Sequence, residues 1–311
     1  MVVAPGQGSQ TPGFLAPWVS EQNFREHLEA MSDVVGLDLV AHGTTSDSDT
    51  IRDTRIAQPL IVAASLLAFG ALSAARVERI GAVAGHSVGE VTAAAASGIL
   101  TEHDALAFVR ERGRAMADAA SLHATGMSAV VGGDETALIE RLGELGLEPA
   151  NVNGGGQIVV AGPVDALAAL ASDPLPGSRV IPLSVAGAFH TRYMRSAGET
   201  LRSIAAGMQT SDPRIPVYTN HDGSSVSSGE KFLALMVGQV SSPVRWDLTM
   251  AAFAADGITG MIELSPAGAL VGLARRGLKG VPAVAVKTPD DLPAAFEMLD
   301  AEMAAPSPDG K

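Results

Sequence analysis

The sequence predicts an α/β fold in which a parallel sheet carries a smaller inserted unit. Short β-branched segments alternate with long helical segments over roughly the first 120 residues, as in proteins with parallel sheets. From Gly126 onwards, shorter elements follow in the order strand, helix, strand, strand, helix, strand. With 311 residues, 47% of them hydrophobic, the chain is long enough to bury one large core or two coupled ones.

The first part of the chain is predicted to alternate strands with helices. Its predicted elements are a strand at 2–4, a helix at 58–75, a strand at 80–84, a helix at 88–97 and a helix from 101 to about 119. Pro59 is expected at the first position of its helix. That segment is apolar enough to suggest a membrane span, but its Gln, Pro, Ser and Gly residues favour a buried helix. Thr101 is expected to cap the last helix, with Asp104 completing a variant of the capping box.

Residues 124–186 are predicted to form a small inserted subdomain, so that residues 1–123 and 187–311 make up the large one. The order of its elements is that of a ferredoxin-like unit, and Asp134 is expected to cap its first helix. Its predicted strands are "GMSAVVGG", "EPANVN", "QIVVAG" and "SRVIPLSV", and its helices are "ETALIERLGEL" and "PVDALAALA". The large subdomain is predicted to resume with a helical stretch from "AGAFHTRYM" to about Met208 and the strand "IPVYTN". The tail "AAPSPDGK" is expected to be disordered.

The composition excludes several classes of function. A formal net charge of −13 disfavours nucleic acid and anionic membranes as partners of the whole surface. Only 4% of residues are aromatic, so no stacking platform for single-stranded nucleic acid is predicted. The absence of Cys excludes disulfides, thiolate zinc sites and a cysteine nucleophile, and suits a reducing compartment. Because no secretory signal is recognisable, we expect a cytoplasmic protein.

A glycine-rich turn, "PGQGSQT", follows the first strand directly. Such a turn is typical of a loop whose backbone N–H groups hold an anion. The dinucleotide fingerprint is incomplete, because Gly6 and Gly8 are followed by Thr11 and Pro12, and the Gly-Lys-Ser/Thr of a P-loop occurs nowhere. An ordinary tight turn is the alternative.

The segment Gly85-His86-Ser87-Val88-Gly89 lies between a predicted strand and a predicted helix. This is the context of a G-x-S-x-G nucleophile elbow. Its turn is too sharp for Cβ atoms on either side of the serine, and the N–H of Val88 points towards the same space from a helix N-terminus. We therefore expect Ser87 to be a nucleophile, with a structural Gly-Ser-Gly turn as the alternative.

A serine nucleophile needs a base within hydrogen-bond reach. Of the seven histidines, His86 is adjacent in sequence, but neighbours in a tight turn usually project apart. His190 follows the last strand of the inserted unit, and junctions between subdomains are where clefts form. The residues alone leave open that His190 is an ordinary core or surface histidine.

Seven segments occur in order with sensible spacing: "PGQGSQ", "AQPL", "GHSVGE", "RERGRAM", "NVNGGGQIVVAG", "GAFH" and "GQVSSPVRW". Together they resemble the malonyl-CoA:acyl carrier protein transacylases, the acyltransferases of fatty-acid and polyketide synthesis. The resemblance covers nearly the whole chain. It implies an α/β-hydrolase-like large subdomain and a ferredoxin-like small one. It also implies a ping-pong reaction in which malonyl passes from coenzyme A to Ser87 and then to the carrier protein's phosphopantetheine thiol, with no metal or other cofactor.

The resemblance also implies a role for several residues. His190 would be the base, and Gln239 would offer a carbonyl that orients it, so no Asp completes a triad. The backbone N–H groups of Gln7 and Val88 would form the oxyanion hole, so that the glycine-rich turn holds an oxyanion and not a phosphate.

Arg112 and Phe189 are the candidate specificity residues. Helical periodicity places Arg112 slightly closer to the apolar stripe of its helix than Arg110, but does not select it. The resemblance selects Arg112 as the residue that binds the malonyl carboxylate, for which a guanidinium is suited. A solvated surface arginine is the alternative. Phe189, by the same resemblance, indicates malonyl over methylmalonyl. Gln58 and Asn153 match positions near the pocket, without an assigned role.

Two other classes of function remain open. A serine hydrolase or thioesterase shares the elbow and would need an acidic residue before His190, for which Asp104, Asp118 and Asp165 are placed. A non-catalytic protein that binds the carrier is the other class. The sequence does not distinguish fatty-acid from polyketide carriers or exclude a malonate-decarboxylase-type transacylase.

The expected assembly is a monomer with an acidic carrier as its partner. Because the chain is acidic too, docking would need a local cationic patch. The densest candidate is "LARRGLKG", which holds Arg275, Arg276 and Lys279, although a solvated helix end is an equal alternative.

Overall fold

The computed structural model describes residues 1–74 and 76–301, so the predicted disordered tail lies outside the described residues. Its strands are β1 (Val2–Ala4), β2 (Val83–Gly85), β3 (Thr125–Gly132), β4 (Glu148–Gly154), β5 (Gln157–Pro163), β6 (Ser178–Leu183), β7 (Val217–Tyr218), β8 (Ser225–Val226), β9 (Val244–Arg245), β10 (Met261–Glu263) and β11 (Ala283–Ala285).

The first sheet is the predicted parallel sheet. Its six strands lie in the order β11-β10-β1-β2-β7-β8. All neighbours are parallel except β7 and β8, which form an antiparallel pair. The loops after β1, β2 and β7 leave the same edge, since these strands run in one direction. This edge therefore gathers the glycine-rich turn and the G-x-S-x-G turn.

The second sheet has the order β6-β3-β5-β4-β9. Its first four strands pair antiparallel, in the predicted order of elements. The fifth, β9, comes from much later in the chain and pairs parallel to β4, with Val244 opposite Asn151. The sheet is thus not confined to residues 124–186, and later residues extend one of its edges.

Helices cover the sheets. They are α1 (Ala16–Val19), α2 (Gln22–Val35), α3 (Leu39–Thr44), α4 (Thr54–Ser73), α5 (Gly89–Ser97), α6 (Glu102–Ser121), α7 (Glu135–Leu145), α8 (Val164–Ser172), α9 (Arg195–Ala205), α10 (Gly229–Gln239), α11 (Trp246–Ala255), α12 (Ala269–Gly277) and α13 (Leu292–Ala301). The side chain of Thr101 accepts from the N–H of Asp104, and that of Asp134 from the N–H of Ala137, so both predicted caps are confirmed.

The predicted start of α4 is wrong. The helix begins at Thr54, where the side chain of Asp53 accepts from the N–H of Arg55, and Pro59 lies inside the helix. The favourable cap by Asp53, five residues before Gln58, outweighs the one hydrogen bond that Pro59 cannot make. By length and composition α4 could cross a membrane, but 72% of its most apolar window is buried within the molecule, as expected of a core helix.

The predicted helical stretch from residue 186 to Met208 is also wrong. Its first part is irregular, with His190 at a φ of 63°, followed by a 3-10 turn at Arg192–Met194. Only α9 is a regular helix in this stretch. The N–H of His190 bonds to the carbonyl of Val240 at 3.1 Å, and this tertiary contact replaces the bond that a helix would make.

Candidate active site

Ser87 lies in the turn between β2 and α5, as the G-x-S-x-G pattern predicts. Its φ of 54° is a left-handed conformation that is strained for a residue with a side chain. A Cβ on Gly85 would lie 2.0 Å from the backbone of Gly89, and one on Gly89 would lie 2.2 Å from the carbonyl oxygen of Ala4. The glycines thus permit both the tight turn and its contact with the end of β1, which confirms the expected steric reason for them.

His190 lies in hydrogen-bond contact with Ser87. Its Nε2 is 2.7 Å from Oγ of Ser87, and its Nδ1 is 2.8 Å from the backbone carbonyl oxygen of Gln239. A carbonyl only accepts, so Nδ1 carries the proton and donates, and Nε2 is free to accept the serine proton. Burial, aided by the charge of Arg112, lowers the pKa of His190 to about 3. The ring is therefore neutral at physiological pH, as a general base must be.

The three aspartates of the hydrolase hypothesis lie elsewhere. The carboxylate of Asp104 accepts from the cap residue Thr101 at the start of α6, Asp118 forms an exposed ion pair with Arg55, and the carboxylate of Asp165 accepts from the N–H of its neighbour Ala166. The ring of His190 is thus oriented by a carbonyl, and not by a carboxylate.

Arg112 is 1% exposed, so the alternative of a solvated surface arginine is wrong. Its Nη1 donates to Oε1 of Gln58 at 2.7 Å, and its Nη2 donates to Oε1 of Gln239 at 3.0 Å. A Cβ on Gly113 would lie 2.8 Å from the carbonyl oxygen of Thr54, so this glycine lets α6 approach the start of α4 closely. Burial lowers the pKa of Arg112 to about 10, which leaves it charged at neutral pH.

A buried glutamate and a buried asparagine connect these residues. Glu90, in the first turn of α5, accepts through Oε2 from Nε2 of Gln239 at 2.6 Å and through Oε1 from the N–H of Asn220 at 2.6 Å. Oδ1 of Asn220 accepts from the N–H of Ser87 at 2.8 Å and from Nε2 of Gln239 at 3.0 Å. Burial raises the pKa of Glu90 to about 7.

Glu90 and Asn220 are not predicted from the sequence. Two signals were available: Glu90 directly follows the elbow glycine, and Asn220 follows a strand of the parallel sheet, at whose carboxyl edge ligands bind. Neither signal identifies the partners, which are 129 to 149 residues away from Glu90 in the chain.

The glycine-rich turn packs against the elbow. A Cβ on Gly6 would lie 3.0 Å from Nδ1 of His86, so this turn lies directly beside the residue that precedes Ser87. Within the described chain, the N–H groups of Gln7 and Val88 donate to no protein acceptor. Free donors beside a nucleophile are what an oxyanion hole requires.

A cavity of about 670 Å³ opens beside the elbow, between the glycine-rich turn and the second sheet. Within it, Nε2 of His86 lies 2.9 Å from Oδ1 of Asn153, whose Nδ2 donates to Oε1 of Gln157 at 3.0 Å. Ser87 directly follows the lining residue His86 in the chain. The cavity therefore lies beside the elbow that carries Ser87.

The structure brings together Ser87, His190, Gln239 and Arg112 by direct hydrogen bonds. Phe189 is buried in the main apolar core beside His190. No group of three or more His, Asp or Glu side chains in residues 1–74 and 76–301 is arranged to hold a metal ion.

The acyl transferase domain family matches residues 1–293. A malonyl CoA-acyl carrier protein transacylase of Mycobacterium tuberculosis is 47% identical over 294 residues, which cover 94% of this chain and 97% of the relative. The chain belongs to this acyltransferase family. The malonyl CoA-acyl carrier protein transacylase of Escherichia coli K12 is 29% identical over 303 residues, 95% of this chain and 98% of that protein.

Solved structures of the acyltransferase family share the fold. The crystal structure of MCAT from Mycobacterium tuberculosis matches with a TM-score of 0.91 at 46% identity, covering 94% of this chain and 98% of that one. A malonyl-transacylase in complex with its type II PKS acyl-carrier protein matches with a TM-score of 0.89 at 28% identity, covering 96% of this chain and 98% of that one. The chain is therefore an acyltransferase with the mixed α/β fold of this family.

Proposed function

We propose that this acyltransferase moves a malonyl group from malonyl-CoA to the phosphopantetheine thiol of an acyl carrier protein, through a malonyl ester on Ser87. The observation that carries the proposal is the buried cation of Arg112 linked through Gln239 to the Ser87–His190 pair. The serine and histidine perform acyl transfer, and the cation selects an acyl group that ends in a carboxylate.

The first half-reaction acylates the serine. Oγ of Ser87 attacks the thioester carbonyl while Nε2 of His190 accepts its proton, and the imidazolium is stabilised by the bond from Nδ1 to the Gln239 carbonyl. The N–H groups of Gln7 and Val88 bind the oxyanion of the tetrahedral intermediate. Collapse of the intermediate breaks the carbon–sulfur bond, and His190 returns the proton to the departing thiolate of coenzyme A.

The second half-reaction is the same chemistry in reverse with a different thiol. The phosphopantetheine thiol gives its proton to His190 and attacks the ester of Ser87, and collapse releases the serine oxygen, which takes the proton back. Arg112 still has N–H groups beyond the two that bind Gln58 and Gln239, so it can hold the malonyl carboxylate through both steps.

We further propose the finer architecture and setting that the resemblance implies. The parallel sheet and its helices form an α/β-hydrolase-like subdomain, and β3 to β6 with α7 and α8 form a ferredoxin-like one, supported by the strand order β6-β3-β5-β4. The protein acts in the cytoplasm, which the absence of Cys supports because that compartment is reducing. It acts as a monomer and without a metal or further cofactor.

Mass spectrometry of the protein after incubation with malonyl-CoA tests the proposed reaction. A malonyl adduct is expected on Ser87, and none in Ser87→Ala, whose turnover should fall about 10⁴–10⁶-fold. Ser97→Ala, at the last position of α5, the helix that follows Ser87, is the control and should still be acylated. An adduct on another residue contradicts the proposal. Release of free malonate without transfer to a thiol acceptor would instead identify a hydrolase.

Arg112→Ala tests the part of the proposal that concerns the carboxylate. Removing a buried, hydrogen-bonded partner of a charge typically costs about 2–5 kcal/mol, so kcat/KM for malonyl-CoA should fall steeply. The acetyl group has no carboxylate, so kcat/KM for acetyl-CoA should fall much less. A variant that keeps the wild-type preference for malonyl over acetyl would show that another residue binds the carboxylate.

A further inference from the structure

Gln239 has an amide with a defined orientation. Its Oε1 accepts from Nη2 of Arg112, and its Nε2 donates to Glu90 at 2.6 Å and to Asn220 at 3.0 Å. Turned by 180°, the same amide would place an NH₂ group against the guanidinium, where both groups are donors. The acceptors on the Nε2 side therefore decide whether Arg112 finds an oxygen or a repelling N–H.

Glu90 is suited to that task in its ionised form, which only accepts hydrogen bonds. The N–H groups around it favour that form, against the burial that raises its pKa to about 7. Both of its oxygens face N–H groups, Nε2 of Gln239 on one side and the backbone N–H of Asn220 on the other. Oε1 also accepts from Oγ1 of Thr219 at 3.2 Å. An amide at position 90 would put its NH₂ group against a donor in either of its two orientations.

We infer that Glu90 is a positioning residue for substrate selection, which turns the side-chain oxygen of Gln239 towards Arg112 and so fixes the guanidinium for the malonyl carboxylate. This inference rests on the proposed role of Arg112. Glu90 is 1% exposed, and the guanidinium reaches it through the intervening amide of Gln239.

The charge of Glu90, considered alone, would weaken malonyl binding. As an anion near Arg112, it competes with the substrate carboxylate, and its removal would then strengthen malonyl binding. Orientation should outweigh this effect, because Glu90 is separated from Arg112 by the Gln239 amide, whereas a reversed amide would place a donor directly on the guanidinium. The two accounts predict opposite changes in substrate preference.

The test compares kcat/KM for malonyl-CoA and acetyl-CoA in wild type, Glu90→Gln and Glu90→Asp. The malonyl-to-acetyl ratio is expected to fall about tenfold or more in Glu90→Gln, since a hydrogen bond to a charged group is lost. Glu90→Asp, which keeps two acceptor oxygens, should retain a larger part of the preference. In an Arg112→Ala background, Glu90→Gln should leave the ratio unchanged, because the group being positioned is absent.

Glu263→Gln is the matched control. Glu263 is 0% exposed and accepts from the N–H groups of Gly268, Leu270 and Val271 at the start of α12. The substitution Glu263→Gln should lower the melting temperature without changing the malonyl-to-acetyl ratio of kcat/KM. The inference is overturned if Glu90→Gln leaves the malonyl-to-acetyl ratio of kcat/KM unchanged, whether or not stability or both kcat/KM values fall. It is also overturned if Glu90→Gln raises that ratio.

Gln239→Ala keeps the test decisive even if Glu90→Gln does not fold. It removes the oxygen that faces Arg112 but retains the backbone carbonyl that orients His190. The value of kcat/KM should fall more for malonyl-CoA than for acetyl-CoA, and an unchanged ratio of the two would overturn the inference. The proposed function is tested separately, by the wild-type preference for malonyl over acetyl and its loss in Arg112→Ala. A failure of the proposed function can therefore be told apart from a failure of the inference about Glu90.

Discussion

At the scale of single residues, Gln239 supplies two oxygens with different tasks. Its backbone oxygen accepts from Nδ1 of His190, and its side-chain oxygen accepts from Nη2 of Arg112. Because both oxygens belong to one residue, the general base and the substrate-binding cation are held in a fixed relation. A displacement of residue 239 would therefore alter the chemical step and the substrate preference together.

The depressed pKa of His190 predicts how stability responds to pH. The folded protein holds this ring neutral down to a pKa of about 3, whereas the unfolded chain protonates it near 6.5. The unfolded state thus binds more protons below pH 6.5, so this contribution to stability is complete above 6.5 and is lost as the pH falls towards 3.

Comparison with His190→Gln isolates this contribution, because the other titrating groups are present in both proteins. Relative to the variant, the wild type should lose up to about 1.4 kcal/mol of unfolding free energy per pH unit between pH 6 and 5. Urea unfolding at a series of pH values measures the difference. A difference that does not change with pH would show that the ring titrates normally in the folded protein.

The residues predicted from the sequence and those missed differ in how local their signals are. Ser87 is recognisable because a strand, two glycines and a helix start surround it within a few positions. Asn220 binds the N–H of Ser87 from 133 residues away, and no local pattern reports such a contact. Arg112 is intermediate, since periodicity places it only slightly closer to the apolar stripe than Arg110, and the family resemblance alone selects it.

At the scale of elements, the packing of α6 on α4 builds the carboxylate site. Gly113 allows the two helices to approach, and Arg112 then meets Gln58 one turn into α4. Gly113→Ala would place a methyl group 2.8 Å from the backbone oxygen of Thr54, which cannot move aside cheaply. We expect a loss of about 1–3 kcal/mol in unfolding free energy and a reduced preference for malonyl over acetyl.

Gly143→Ala is the control for this prediction. Gly143 also lies inside a helix, α7, but a Cβ there meets nothing within 4 Å. The substitution should stabilise the protein by up to about 1 kcal/mol and leave the preference unchanged. Thermal melts and the two kcat/KM values distinguish the variants, and equal behaviour of the two would contradict the packing argument.

Elements were predicted well where one strong local signal marks them. The caps of α6 and α7 were correct, because Thr101 and Asp134 precede regular apolar patterns. The predicted start of α4 is misplaced because Pro59 suits the first position of a helix, although Asp53 caps an earlier turn. The stretch around His190 is predicted as helix, although its tertiary bond to Val240 holds it in an irregular turn.

At the scale of the whole molecule, the two sheets meet around the cavity, and β9 ties the chain after the active site to the edge of β4. A two-residue strand carries no recognisable pattern, so this connection could not be predicted.

The region around the cavity also bears on docking of the carrier protein, because α12 ends beside the cavity with Arg275 and Arg276 in its last turn. Arg276 lines the cavity itself, whereas Arg275 and Lys279 are exposed outside it.

The last prediction concerns how an acidic carrier approaches a protein of net charge −13. Long-range repulsion opposes the encounter, so a local cationic patch at the cavity mouth should guide it. Arg275→Glu with Lys279→Glu should raise KM for the carrier and leave acylation by malonyl-CoA intact, since neither residue lines the cavity. The wild-type KM should rise with salt, because charges are screened beyond about 10 Å at 0.1 M. The exposed pair Arg179→Glu with Arg202→Glu changes the net charge equally and is the control. If both double variants raise the KM for the carrier equally, overall charge governs the encounter; if only the control raises it, the carrier docks elsewhere.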